Sequence, residues 1–163
     1  MVTEGDDLPI PSRVVRYVPS GRMRRDPDDN DKIYGPNPNA FERNKDHEYL
    51  SVTWCEYFLG STDEQLRCAI EALRRSLNVS PKACFCVAST QKVVTAVLDF
   101  ERNGRAVYYP VDDNKAHAGI HGIDPEQTTL LDYLAAEIWC QYFTRESADA
   151  LPTSGCVKSN DVE

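Results

Sequence analysis

Apolar and polar positions alternate most cleanly in residues 49 to 58, where Leu50, Val52 and Trp54 are separated by Ser51, Thr53 and Cys55. That period of two predicts a half-buried β-strand. Val14-Val15-Arg16-Tyr17-Val18 reads as a shorter strand closed by Pro19, residues 83 to 88 as a compact interior strand, and residues 105 to 111 as another. After Thr62 the period becomes helical: Leu66, Ala69, Ile70, Leu73 and Leu77 make one stripe opposite Arg67, Glu71, Arg74 and Arg75. Thr62 and Gln65 stand at capping-box spacing at its start, and Pro81 lies beyond its end. Asp124, Pro125 and Gln127 mark a second helix start, followed by a broad apolar face of Leu130, Leu131, Leu134, Ile138, Trp139, Tyr142 and Phe143. Residues 89 to 104 carry mixed signals. Val93, Val94, Thr95 and Val97 suit a strand and Asn103-Gly104 a hairpin turn, whereas Ser89 or Thr90 as cap and Gly104 as terminator favour a helix, which is the reading adopted.

These elements predict an α+β fold in a single domain, a sheet of about four or five strands with two or three amphipathic helices. The folded unit spans 13 to 143. Residues 1 to 12 are acidic and proline-containing, and residues 144 to 163 lose hydrophobic periodicity, so both are expected to be flexible tails. Residues 19 to 39 are dense in Pro, Gly, Asp and Asn and are expected to form a long disordered loop.

Composition narrows the partners. With 26 acidic against 18 basic side chains the net charge is -8, which repels nucleic acid and anionic lipid. No stretch approaches the ~20 apolar residues of a membrane span, and no signal-peptide core follows the N-terminus, so a cytoplasmic protein is expected. Cys55, Cys68, Cys84, Cys86, Cys140 and Cys156 lack zinc-finger or CxxC spacing and are expected to be reduced, mostly interior thiols. Cys84 and Cys86 would share one strand face, where a metal or redox role competes with simple packing.

Chemistry concentrates ahead of the second helix. Gly119 and Gly122 argue against a helix around His117 and His121, and on an extended segment His117, Gly119 and His121 share one face while Ala118 and Ile120 turn to the core. Two imidazoles on one face suit a transition metal, but a third ligand is missing locally; Asp112, Asp113 or the distant His47 would have to supply it. No nucleophile elbow, cysteine-protease surround or phosphate-cradling loop occurs, so no catalytic motif is complete.

The order Arg16, Phe41, Leu50-Ser51-Val52 and His117-Ala118-x-Ile120 resembles a group of small bacterial proteins with an R…F…LSV…HAxI pattern and no agreed activity. More distantly, an arginine on the first strand and a serine on a central strand are similar to the opening of the R-S-E pattern of ADP-ribosyltransferases. That resemblance implies that Arg16 would hold an NAD phosphate and Ser51 would support the nicotinamide ribose. The sequence departs from the family where a catalytic glutamate would stand, because His117 and His121 occupy that late strand and no glutamate lies between Glu101 and Glu126.

Two functions are therefore expected to compete. The first is an acidic cytoplasmic protein-binding module, an accessory subunit or inhibitor with a protein partner and no cofactor, with Tyr34, Phe41, Tyr108 and Tyr109 as candidate anchors. The second is an enzyme centred on Arg16, Ser51, His117 and His121, either metal-dependent or NAD-consuming.

Overall fold

The computed structural model describes residues 1–153 and 155–163. Among the described residues, the strands are β1 (Arg13–Val18), β2 (Met23–Arg25), β3 (Ile33–Pro36), β4 (Tyr49–Trp54), β5 (Cys84–Ser89), β6 (Arg105–Tyr108), β7 (His117–His121) and β8 (Gln141–Thr144). The helices are α1 (Thr62–Ser76), α2 (Thr90–Asp99), α3 (Thr128–Tyr133) and α4 (Arg145–Asp149). Six strands form one antiparallel sheet in the order β6-β7-β4-β1-β5-β8, and β2 pairs with β3 separately. The fold is mixed helix and sheet as the periodicity predicts, but the sheet is larger than the four or five strands expected. The unexpected strands come from two segments read otherwise, and only β8 joins the large sheet.

The first is the stretch 19–39. Instead of a disordered loop it carries β2 and β3, which pair Met23 with Pro36 and Arg24 with Gly35. Arg25 donates to the carbonyls of Asn30 and Lys82 at 2.7 and 2.9 Å, closing the turn and tying it to the body. The second is the end of the helix expected from Asp124 to Phe143. Its start moves to Thr128 because the predicted cap residues are used elsewhere. Asp124 accepts from the Glu126 N–H at 2.9 Å in a local turn and pairs with Arg102 at 3.2 Å, while Gln127 donates to the Phe100 carbonyl. At Leu134 the helix widens into a π turn closed by the Trp139 N–H on the Leu134 carbonyl at 2.8 Å. Tyr142 and Phe143 then enter β8, where they pair with Cys86 and Phe85.

The other helices follow their signals closely. In α1 the capping box is one residue earlier than Thr62–Gln65: the Ser61 hydroxyl accepts from the Glu64 N–H and the Glu64 carboxylate accepts from the Ser61 N–H. Gly60 at φ +120° makes the turn that delivers Ser61. Helix α1 packs on β1 and β4 through Leu66, Ala69, Ile70 and Leu73, and α2, capped by Ser89, packs on β5.

Neither end is a free tail. Residues 5–8 line the outer edge of β6 through Gly5 N–H to Tyr108 O, Tyr108 N–H to Asp6 O and Leu8 N–H to Ala106 O, covering an otherwise open sheet edge. Residues 144–153 contain α4, and residues 155–163 form a strap whose backbone pairs with Leu59, Tyr57 and Val2. A disulfide joins Cys68 of α1 to Cys156 of the strap, so these two cysteines are not the free thiols expected. Cys55, Cys84 and Cys86 are buried free thiols, and burial pushes Cys55 and Cys86 up to about 12 and Cys84 in the same direction, which leaves them unreactive. Cys140 is free and exposed. No helix among the described residues is long and apolar enough to cross a membrane.

Candidate functional site

Strand β7 sits between β6 and β4, and its register places Thr53 opposite His117, Ser51 opposite Gly119 and Tyr49 opposite His121. Directly opposed residues share a face, so one side of the sheet carries Tyr49, Ser51 and Thr53 beside His117, Gly119 and His121. Ala118 and Ile120 point the other way and are fully buried. Both imidazoles are half-buried rather than open to solvent, because aromatic rings pack around them.

Tyr49 is the hub of that packing. Its ring stacks with His47 at 5.4 Å and with Tyr109 at 5.0 Å, and it meets His117 and His121 edge-on at 5.8 and 5.7 Å. All three histidines of the chain therefore touch one tyrosine. Tyr49 reaches this position because Gly119 has no side chain: a Cβ there would stand 2.5 Å from Tyr49 Cγ and Cδ2. Gly119→Ala should displace the ring and lower stability by about 1–3 kcal/mol, the usual cost of overpacking. Urea denaturation, with the histidine ring resonances followed by NMR, checks this: Gly119→Ala should shift both His117 and His121, and unchanged resonances with unchanged stability would refute it.

The histidine hydrogen bonds fix their chemistry. His117 Nδ1 lies 2.7 Å from the Tyr109 carbonyl, which only accepts, so Nδ1 carries the proton and Nε2 keeps a lone pair. No protein group among the described residues bonds that Nε2. His121 Nε2 lies 2.8 Å from the Tyr109 hydroxyl. Burial holds both imidazoles below their ordinary value of 6.5; for His117 the Tyr109 carbonyl opposes the shift, and for His121 the Arg105 charge adds to it. Among the described residues no group of three or more His, Cys, Asp or Glu is placed to hold a metal ion, so neither His47 nor the Asp112-Asp113 pair completes a ligand set with the paired imidazoles.

A lowered folded-state value means the unfolded chain takes up protons first as pH falls. The stability tied to neutral His117 and His121 is then complete above pH ~6.5 and drains away as pH drops through their folded values. Denaturation midpoints measured between pH ~8 and ~5 should fall towards the acid end, and less steeply in His117→Gln. Equal slopes in the two proteins would exclude His117 as a contributor.

Beside this cluster, β1 and β4 part company. They pair at Val14–Trp54 and Val15–Thr53 and no further. Arg16 fills the gap that follows, its Nε donating to the Ala40 carbonyl at 2.7 Å and its Nη1 to the Ser51 carbonyl at 2.8 Å. Among the described residues no carboxylate lies within ion-pairing distance of this guanidinium, and its remaining donors have no protein acceptor. Burial pushes Arg16 down to about 10, with Arg22 adding to the shift, so it stays charged at neutral pH. A cleft of about 290 Å³ opens here, lined by Arg16, Ser51, Thr53, Asp113, Asn114 and His117 together with apolar side chains from the end of α1.

Asn114 holds the loop wall of the cleft. It is buried, donates to the Thr53 hydroxyl at 2.9 Å and accepts from the Ala116 N–H at 3.1 Å. Of the four residues singled out from sequence, Arg16, Ser51 and His117 meet in this cleft, while His121 stays outside it against Tyr109. Sequence reasoning missed Tyr49, Asn114 and the placement of Tyr109. Tyr49 had a usable signal, since it continues the Ser51, Thr53 face by the same period of two. Tyr34, offered as an anchor, is exposed, whereas Phe41 and Tyr108 are buried and unavailable to a partner.

Comparison with known protein families, with curated proteins and with solved structures finds no match to this chain.

Proposed function

We propose that this protein binds a small anionic molecule in the cleft between β1 and β4 and that His117 accepts a proton from it, as an acid–base enzyme would. The observation that carries this reading is Arg16: a half-buried guanidinium with no carboxylate partner among the described residues, sharing a cleft with an imidazole whose unprotonated Nε2 none of them bonds. A partly desolvated charge without a counter-ion is costly, and an anionic ligand offsets that cost while meeting the free donors. A basic imidazole in the same cleft, with a value set below 6.5 by burial, suits proton abstraction at neutral pH. NAD is included among the anions to test on the strength of the resemblance to ADP-ribosyltransferases, in which Arg16 would hold a phosphate and Ser51 the ribose. The cleft's carboxylate is Asp113, on the loop before β7 rather than on a strand.

Calorimetry with inorganic phosphate, small dicarboxylates, ADP-ribose and NAD tests the reading. At least one of these anions should bind, more weakly as salt is raised. No heat and no thermal shift with any of the four at ~10 mM, far above ordinary ligand affinities, would end it.

The net charge of -8 supports a second reading, an acidic module that docks on a basic surface of a partner protein. Co-purification with the products of neighbouring genes distinguishes the two: a stoichiometric partner whose binding survives Arg16→Met would favour docking over the cleft.

A further inference from the structure

We propose that Cys156 is a site of thiol–disulfide exchange, at which a small thiol reductant opens the Cys68–Cys156 bond and releases the C-terminal strap from the groove beside the cleft. The two sulfurs differ sharply in access. Cys68 lies in the buried stripe of α1, whereas Cys156 is exposed, so an attacking thiolate reaches the Cys156 sulfur. Its sulfur bonds to Cys156 Sγ, the Sγ–Sγ bond breaks, and the electron pair leaves on Cys68, which takes up a proton. A second thiolate then attacks the sulfur of the first, the bond to Cys156 breaks and Cys156 leaves as a thiolate that takes up a proton, so that two thiols are oxidised to one disulfide and two cysteine thiols are formed.

What exchange would free is weakly held otherwise. Between residues 155 and 163 only Ser159 and Val162 are buried. The remaining anchors are backbone bonds: Leu59 N–H to Val157 O at 2.9 Å, Ser159 N–H to Tyr57 O at 2.7 Å, and the pairing of Val162 with Val2. A short segment with few apolar contacts opens at low free energy once its covalent tie is cut. Cys156 and Lys158 form one wall of a groove of about 320 Å³ that shares Asp113 and Asn114 with the anion cleft. Opening the strap therefore unroofs the loop that carries those residues, and through Val2 it loosens the N-terminal segment that covers β6. This inference holds whatever the cleft binds.

The test uses the full oxidised chain carrying Cys140→Ser, which removes the exposed free thiol. Reduced glutathione followed by acid trapping and peptide mass spectrometry should find the mixed disulfide on Cys156. After dithiothreitol, hydrogen exchange at the amides of Leu59, Ser159 and Glu163, which donate across the seam between strap and body, should accelerate at least tenfold while α1 keeps its protection, and Cys156→Ser should show the same pattern without reductant. An adduct on Cys68, a bond that resists dithiothreitol in the native protein, or a strap that stays protected after reduction would each overturn the proposal. The reductant experiment needs no cysteine substitution at the bond, so it stands even where Cys156→Ser folds poorly.

Discussion

Trp139→Ala is expected to lower the unfolding free energy by about 2–4 kcal/mol, a large share of the roughly 5–15 kcal/mol available to a domain of this kind. Trp139 is fully buried and stacks on Phe41, also fully buried, with ring centroids 5.3 Å apart and planes 23° apart. Removing an indole from such a site commonly costs about 3–5 kcal/mol in lost contact and cavity. Part of that is recovered, because Trp139 Nε1 is buried without a hydrogen-bond partner and an unmet buried donor costs about 1–3 kcal/mol. Trp139→Phe separates the two terms: it keeps the stack and discards the N–H, so it should cost less than about 1.5 kcal/mol. Urea titration followed by circular dichroism measures both, and equal losses in the two variants would show that the aromatic stack contributes nothing. The effect should also reach the cleft. Phe41 ends the 3-10 turn Pro38–Phe41, and the neighbouring Ala40 carbonyl is one of the two that hold Arg16.

Trp139 also shows where sequence reasoning stops. Its helical spacing from Leu131 is real, and both residues are buried. What the spacing does not contain is the π turn that ends the helix there, because the alternative offered to Tyr142 and Phe143, the free edge of β5, is a tertiary contact. Local signals succeeded where local physics decides. The period of two put His117, Gly119 and His121 on one face with Ala118 and Ile120 inward, and Ser89 capped α2. They failed where a side chain had two uses: Asp124 and Gln127 have the chemistry of a cap, but Arg102 and the Phe100 carbonyl claim them. The Cys68–Cys156 pairing was illegible for a related reason, since 88 residues separate the partners and spacing alone does not select a connectivity. The cleft falls between these cases. Arg16, Ser51 and His117 were visible as residues, yet their meeting depends on β1 and β4 ceasing to pair after Val15 and Thr53, which no pattern in either strand announces.

Arg16→Met is expected to abolish anion binding and to lower stability by only about 1–3 kcal/mol, and the contrast between the two effects is what assigns the residue. Methionine keeps the length of the apolar stem but leaves the Ala40 and Ser51 carbonyls without their donor, a penalty of about 1–3 kcal/mol. Against that, it removes a partly desolvated charge that has no carboxylate partner, which returns part of the loss. A purely structural arginine would show the stability change and nothing else. A ligand-holding one makes the wild type respond to anion, because binding to the folded state alone adds RT ln(1 + [L]/Kd), about 2.7 kcal/mol at a hundredfold excess over Kd. Melting curves taken with and without the anion identified by calorimetry should therefore diverge for the wild type and superimpose for Arg16→Met. Arg16→Lys should fall between, restoring charge without the planar fork that serves two carbonyls and a ligand together. Equal anion-induced shifts in wild type and Arg16→Met would move the binding site away from the gap between β1 and β4, and with it the role given to His117.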